Sequence, residues 1–254
     1  MTEFLETPQG RRIAYRRIEG AGPGVVFLGG FRSDMEGTKA RHLADWAERT
    51  GRAFLRFDYS GHGQSSGRFE DGAVGDWAQD AISVLGALTT GPQILVGSSM
   101  GGWIALLVAK AVPQAVAGLV GIAAAPDFTE DSMWYGFTDE QRARMEREGR
   151  VDLPSGYDEG PYVITRRLID EGRQQLVLRE PLPLAVPVRL MQGTDDEDVE
   201  MSVALRLLDH LDAEDLRLTL VKGVDHRFST PDCLALIEQA VEDVSRRARP
   251  LAQT

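Results

Sequence analysis

The sequence predicts an α/β fold: a mostly parallel central sheet flanked by helices, with a small helical lid insertion. Three observations predict it. Short apolar runs alternate along the chain with segments of helical periodicity, as strands joined by crossover helices require. A glycine-flanked serine, Gly97-Ser98-Ser99-Met100-Gly101, lies between the apolar run Ile94-Leu95-Val96 and the helical stretch that begins Trp103-Ile104-Ala105. From Asp127 to Leu178 the alternation stops, with many polar and aromatic residues and no convincing strand. The predicted division is therefore a core of 1–126 and 179–254 and an insertion of 127–178.

The elements follow in order. Arg12-Ile13-Ala14-Tyr15-Arg16 alternates like an early strand, and Val25-Val26-Phe27-Leu28 reads as a buried parallel strand. Thr38 to Arg49 reads as a helix with Leu43, Trp46 and Ala47 on one face, stopped by Gly51. Ala53 to Phe57 is the next strand, closed by a glycine-rich loop, Asp58 to Gly67. Asp76 is placed to cap a helix carrying Trp77, Ala81, Leu85 and Leu88. After the serine turn come strands at Leu119 to Ile122, Val188 to Met191 and Leu216 to Leu220, then a closing helix from Cys233 to Arg246. Within the insertion, Thr138 to Glu148 and Ile164 to Glu171 read as helices.

Composition narrows the function. At 254 residues the chain can build one large domain with its own core. A net charge of −11 argues against a nucleic-acid partner, which needs basic surface, and repels an anionic membrane face. One cysteine, Cys233, excludes an internal disulfide framework and a cysteine-rich zinc site. The start of the chain, Met1 to Glu6, is too polar for a signal peptide, and the apolar windows are too short to span a bilayer. The expectation is a cytoplasmic protein without stable membrane insertion. Nothing in the sequence sets its oligomeric state.

Ser99 is the candidate nucleophile. A serine at the centre of a strand–turn–helix sits on a sharp, strained turn, and Gly97 and Gly101 supply the room that turn needs. A hydroxyl is a poor nucleophile until a base takes its proton. In this architecture the acid and then the histidine follow the serine along the chain. Of the four histidines, His210 ends a helical stretch, His62 lies on a tight glycine turn and reads as structural or rim, and His42 lies on a helix surface. His226, in the loop after the last strand, is the candidate base. Asp196, after the Gly193 turn, is the candidate acid, with Asp195 and Asp198 as rivals in the same acidic loop. The amides of Met100, at a helix start, and Phe31, in the glycine loop after Val25 to Leu28, are the candidate oxyanion donors. Trp134, Tyr135, Phe137, Tyr157 and Tyr162 in the insertion either wall an acyl pocket or pack the insertion onto the body.

The chain resembles the α/β-hydrolase superfamily throughout. More closely it is similar to the depalmitoylase and acyl-glucuronide esterase subgroup and its bacterial relatives. The stretches that carry this are Phe27 to Phe31, Met35-Glu36-Gly37-Thr38-Lys39-Ala40, Arg56-Phe57-Asp58-Tyr59-Ser60-Gly61 and Gly97 to Trp103. The C-terminal half matches mainly at Asp196 and His226. Two positions depart from the superfamily pattern: Gly29 stands where His is common before the oxyanion glycine, and Gln192 where His is common before Gly193. The resemblance implies a serine hydrolase cleaving carboxylic esters or thioesters through an acyl-enzyme, without metal or organic cofactor. Its partner would be a small-molecule or acylated substrate. The relatives' mitochondrial compartment is not carried over, because their targeting segment is not matched here. A C–C bond hydrolase or an aminopeptidase on the same three residues stays open, as does a non-catalytic binding module. A haloalkane dehalogenase or epoxide hydrolase would place Asp at position 99.

Overall fold

A computed structural model describes residues 1–153 and 161–248. In chain order the first elements are strands β1 (Glu3–Glu6), β2 (Arg12–Ile18) and β3 (Ala21–Leu28), helix α1 (Thr38–Thr50) and strand β4 (Arg52–Phe57). Then come α2 (Val74–Leu88), β5 (Gln93–Ser98), α3 (Met100–Ala111) and β6 (Val116–Ile122). The insert follows with a π-helical turn (Thr129–Trp134), α4 (Asp139–Glu148), β7 (Arg150–Leu153), β8 (Tyr162–Thr165) and α5 (Arg166–Gly172). The chain closes with β9 (Leu182–Pro183), β10 (Val188–Gly193), α6 (Met201–His210), β11 (Leu211–Asp212), β12 (Leu216–Val221) and α7 (Pro231–Arg247).

Eight strands form one sheet in the order β1-β2-β4-β3-β5-β6-β10-β12. β2 pairs antiparallel with β1 and β4, and every other pairing is parallel. The order reverses at β3: the chain passes first to β4 on one side and then to β5 on the other. Such a switch point opens a crevice beyond the carboxyl ends of the two strands. Both faces of the sheet are covered. Val26, Leu28 and Leu95 point to the face under α2 and α3, while Val25, Phe27, Ile94 and Val96 point to the face under α1 and α7. That two-sided burial is why the parallel strands read as unbroken apolar runs.

The helices follow their signals. α1 buries Leu43, Trp46 and Ala47 and ends at Gly51 with φ +66°. α7 starts with Thr230, whose hydroxyl accepts from the Cys233 amide, and buries Cys233, Ile237, Val241 and Val244. Three expectations are corrected. Asp76 lies in the first turn of α2 rather than at its cap, where its carboxylate accepts the Ala73 amide at 3.1 Å. β1 is an additional edge strand; three of its four residues are exposed, so no apolar pattern marks it. The insert is not helical throughout: β7 and β8 pair as an antiparallel hairpin, and Ile164 belongs to β8. Four-residue strands are too short for alternation to show. Among the described residues no helix is long and apolar enough to cross a membrane.

A buried carboxylate ties together the two ends of the 127–178 segment. Asp127, fully buried at φ +58°, accepts the amides of Val177 at 2.8 Å and Leu178 at 3.0 Å, with Arg179 Nη1 at 3.1 Å. Burial pushes its pKa up, and the two amides and Arg179 oppose that. Asp127→Ala is expected to lose about 2–3 kcal/mol, because two buried amides lose their acceptor. Asp127→Asn, which keeps one acceptor oxygen, should lose less. Urea unfolding midpoints of the three proteins read the difference.

Candidate active site

Ser99 follows the last residue of β5 at φ +54° and ψ −120°. The turn is crowded by backbone. A Cβ on Gly101 would lie 2.0 Å from the Leu28 carbonyl oxygen, and one on Gly97 would lie 2.3 Å from the Gly101 oxygen. Only glycine fits either position. The Ser99 amide donates to Ile122 O at 2.9 Å, and its carbonyl accepts from Gly102 N at 2.9 Å and Ala125 N at 3.1 Å. The backbone is pinned and the side chain projects into the crevice.

The structure brings the three sequence candidates into one chain of hydrogen bonds. Ser99 Oγ lies 3.1 Å from His226 Nε2, and His226 Nδ1 lies 2.9 Å from Asp196 Oδ2. A carboxylate beside Nδ1 sets the tautomer: Nδ1–H donates to Asp196, leaving Nε2 to accept the serine proton. The Asp196 side chain is fully buried and four donors hold it. Oδ2 accepts from His226 and from Gln192 Nε2 at 2.7 Å, and Oδ1 accepts from the amides of Asp198 at 3.0 Å and Val199 at 2.8 Å. Burial pushes its pKa up, but these hydrogen bonds and the imidazole outweigh that and hold it below the ordinary value of 3.8. The rivals are placed differently. Asp195 is exposed and accepts the Thr194 hydroxyl, and Asp198 is exposed and serves Asp196 through its amide.

A cavity of about 390 Å³ opens over Ser99 and His226. Phe31, Phe128, Met133 and Tyr162 line it, together with Ser33, Thr38 and Lys39. Phe31 is the centre of an aromatic cluster, with edge-on contacts to Phe69, Trp77, Phe128 and Tyr162 at centroid distances of 4.8, 6.0, 5.5 and 5.9 Å. Gly30 lies beside Ser99, so a Cβ there would sit 3.5 Å from Ser99 Cβ. The Phe31 loop and the Met100 amide at the start of α3 thus flank the serine. Lys39 Nζ donates to the Arg227 carbonyl and ties α1 to the His226 loop. Burial pulls its pKa down to about 8, against the neighbouring carboxylates of Asp225 and Asp196.

Of the insert aromatics, Tyr162 reaches the cavity and three do not line it. Trp134 packs against the guanidinium of Arg173 at 4.6 Å, Phe137 is buried in the core, and Tyr135 is 67% exposed. Tyr157 lies outside the described residues. Phe128 and Met133, which line the cavity instead, carried no sequence signal that separated them from core residues. Gln192 was legible only as a departure from a common histidine; it braces Asp196 and the Val199 carbonyl. Asp196, Asp198 and His226 bring ligand-type atoms within 4.8 Å of one another. Both Asp196 oxygens already accept N–H groups, so a cation there would have to displace them.

Because Asp196 is more acidic folded than at its ordinary value, its ionisation stabilises the fold above pH about 4, and that contribution fades as pH falls through the depressed value. The unfolding free energy of the wild type should therefore drop below pH 4 more steeply than that of Asp196→Asn. Parallel acid limbs in the two proteins would contradict this.

The sequence model of the serine aminopeptidase S33 family matches residues 24–151. The palmitoyl-protein thioesterase ABHD10 of Rattus norvegicus, described as mitochondrial, is 38% identical over 95% of this chain and 81% of its own length. The human protein of the same name is 35% identical over 95% of this chain and 79% of its own length. Among solved structures, a putative hydrolase from Agrobacterium vitis S4 superposes with a TM-score of 0.93 at 39% identity, covering 96% of this chain and 98% of that one. The α/β-hydrolase domain-containing protein 10 from mouse does so with a TM-score of 0.89 at 36% identity, covering 96% and 97%. The chain belongs to the α/β-hydrolases, in the family that the serine aminopeptidase S33 model describes.

Proposed function

We propose that Ser99 is the nucleophile of this chain, a serine hydrolase of carboxylic esters and thioesters. The observation that carries the reading is the unbroken Ser99–His226–Asp196 hydrogen-bond chain beneath the cavity. His226 Nε2 takes the hydroxyl proton as Oγ attacks the acyl carbon, and Asp196 stabilises the imidazolium that forms. The amides of Met100 and Phe31 receive the oxyanion. The C–O or C–S bond breaks, with His226 returning its proton to a leaving alcohol or thiolate. Water, deprotonated by His226, then cleaves the acyl-enzyme and releases the acid. The wall of Phe31, Phe128, Met133 and Tyr162 takes the acyl chain, and the insert acts as a lid over it. The palmitoyl-protein thioesterase relatives favour a long acyl thioester.

The test is hydrolysis of p-nitrophenyl esters of graded chain length beside palmitoyl and acetyl thioesters, with amino-acid p-nitroanilides as the aminopeptidase control. Ser99→Ala should lose at least about 10⁴-fold in kcat and all labelling by a fluorophosphonate, with its unfolding midpoint unchanged. Turnover that survives this substitution would overturn the assignment. Preference for the anilides would move it to the aminopeptidase reading.

A further inference from the structure

His62 was expected to be structural or at the rim of the site. It is 4% exposed, on a turn between Gly61 at φ +74° and Gly63 at φ +45°. A Cβ on Gly63 would fall 2.2 Å from the Asp58 carboxylate, which accepts the amides of Gln64 and Met35 at 2.8 and 2.7 Å. The turn is therefore rigid. The imidazole lies against the rings of Tyr59, Phe69 and Trp77 at 5.6, 5.1 and 5.1 Å.

Both ring nitrogens have partners that decide their protons. Nδ1 lies 3.2 Å from the Ser60 carbonyl oxygen, which can only accept, so Nδ1 carries the hydrogen. Nε2 lies 3.3 Å from the Arg32 amide, which can only donate, so Nε2 is bare. The ring is neutral. Burial pulls its pKa down to about 4, and the Arg32 guanidinium, its charged neighbour, acts in the same direction.

The amide that Nε2 accepts belongs to the loop with the candidate oxyanion donor. Gly30 to Ser33 is a turn closed by the Ser33 amide on Gly30 O at 3.2 Å, with Phe31 and Arg32 at its centre. Arg32 occupies the third position at φ +57°, where turns of this pattern favour glycine. A bulky residue holds that conformation only when its surroundings fix it.

We propose that His62 is a positioning residue: its bare Nε2 holds the Arg32 amide and so fixes the turn that aims the Phe31 N–H at the oxyanion. This rests on the assignment of Phe31 and Met100 as oxyanion donors. Two substitutions separate the role from simple packing, since both remove the ring. Glutamine can place Oε1 where Nε2 stood and accept the Arg32 amide. Asparagine can place its amide only where Nδ1 stood. His62→Asn should lower kcat for a short p-nitrophenyl ester by roughly 10- to 100-fold at unchanged KM, whereas His62→Gln should stay within about 3-fold of wild type. Thermal unfolding midpoints of the two variants should fall together. Hydrogen exchange at the Arg32 amide should be slow in wild type and His62→Gln and fast in His62→Asn. Equal kcat in the two variants, or equal exchange, would overturn the proposal. Exchange is read without substrate, so it tests the clamp even if Ser99→Ala retains turnover and the assignment of the reaction falls.

Discussion

The close approach of β5 and α3 to the end of β3 is the constraint on which the site depends. The Leu28 carbonyl lies where a side chain at 101 would begin, and in this crowded turn Ser99 takes φ +54° and ψ −120°, a conformation rare for a residue with a side chain. The same closeness sets Gly30, and with it the loop after β3, beside Ser99. Arg32, Ala123 and Phe228 share positive φ with Ser99, in the loops that follow β3, β6 and β12. Such residues cost about 1–3 kcal/mol each. Two fully packed faces of sheet beneath them supply the rigidity that holds them there.

Polar groups are graded around that strained rim. Asp196 is ionised and surrounded by N–H donors, His62 is neutral and enclosed by aromatic rings, and His226 bridges the buried carboxylate and the open cavity. The chain is acidic overall, yet Arg32, Lys39 and Arg227 all line the cavity. Arg32 lies over the faces of Phe69 and Tyr162 at 5.6 and 5.3 Å, joining the body to the insert. A charge that stacks on two rings of different segments holds them together without needing a buried partner.

The parallel strands were legible because burial on both faces leaves an unbroken apolar run, as in β5 and β6. The edge strand β1 was not, since solvent on its outer side permits Glu3 and Glu6. The start of α2 lies before Asp76 because that carboxylate accepts the Ala73 amide from inside the first turn, while Glu171 of α5 accepts the Gly75 amide at 2.9 Å. In the site, Ser99 and His226 stood out through backbone context. Asp196 was preferred over Asp195 and Asp198 only by its spacing after the Gly193 turn; the amides of Asp198 and Val199 and the buried Gln192 that hold it are tertiary facts. The aromatics of the insert showed composition but not direction. Trp134 faces guanidinium groups and Phe137 faces the core, choices that helix packing makes after the residues are chosen.

The Asp127 clasp couples two distant points of the chain. One carboxylate gathers the chain shortly after β6 and again at Val177 and Leu178, so the cost of closing that excursion is met locally. Between those ends the segment also grips the core, through Glu171 on the Gly75 amide and the Gln175 carbonyl on Trp103 Nε1. The clasp fixes both ends of a segment that helps line the cavity on one buried side chain, so a disturbance at Asp127 reaches the wall formed by Phe128 and Tyr162 from both directions at once.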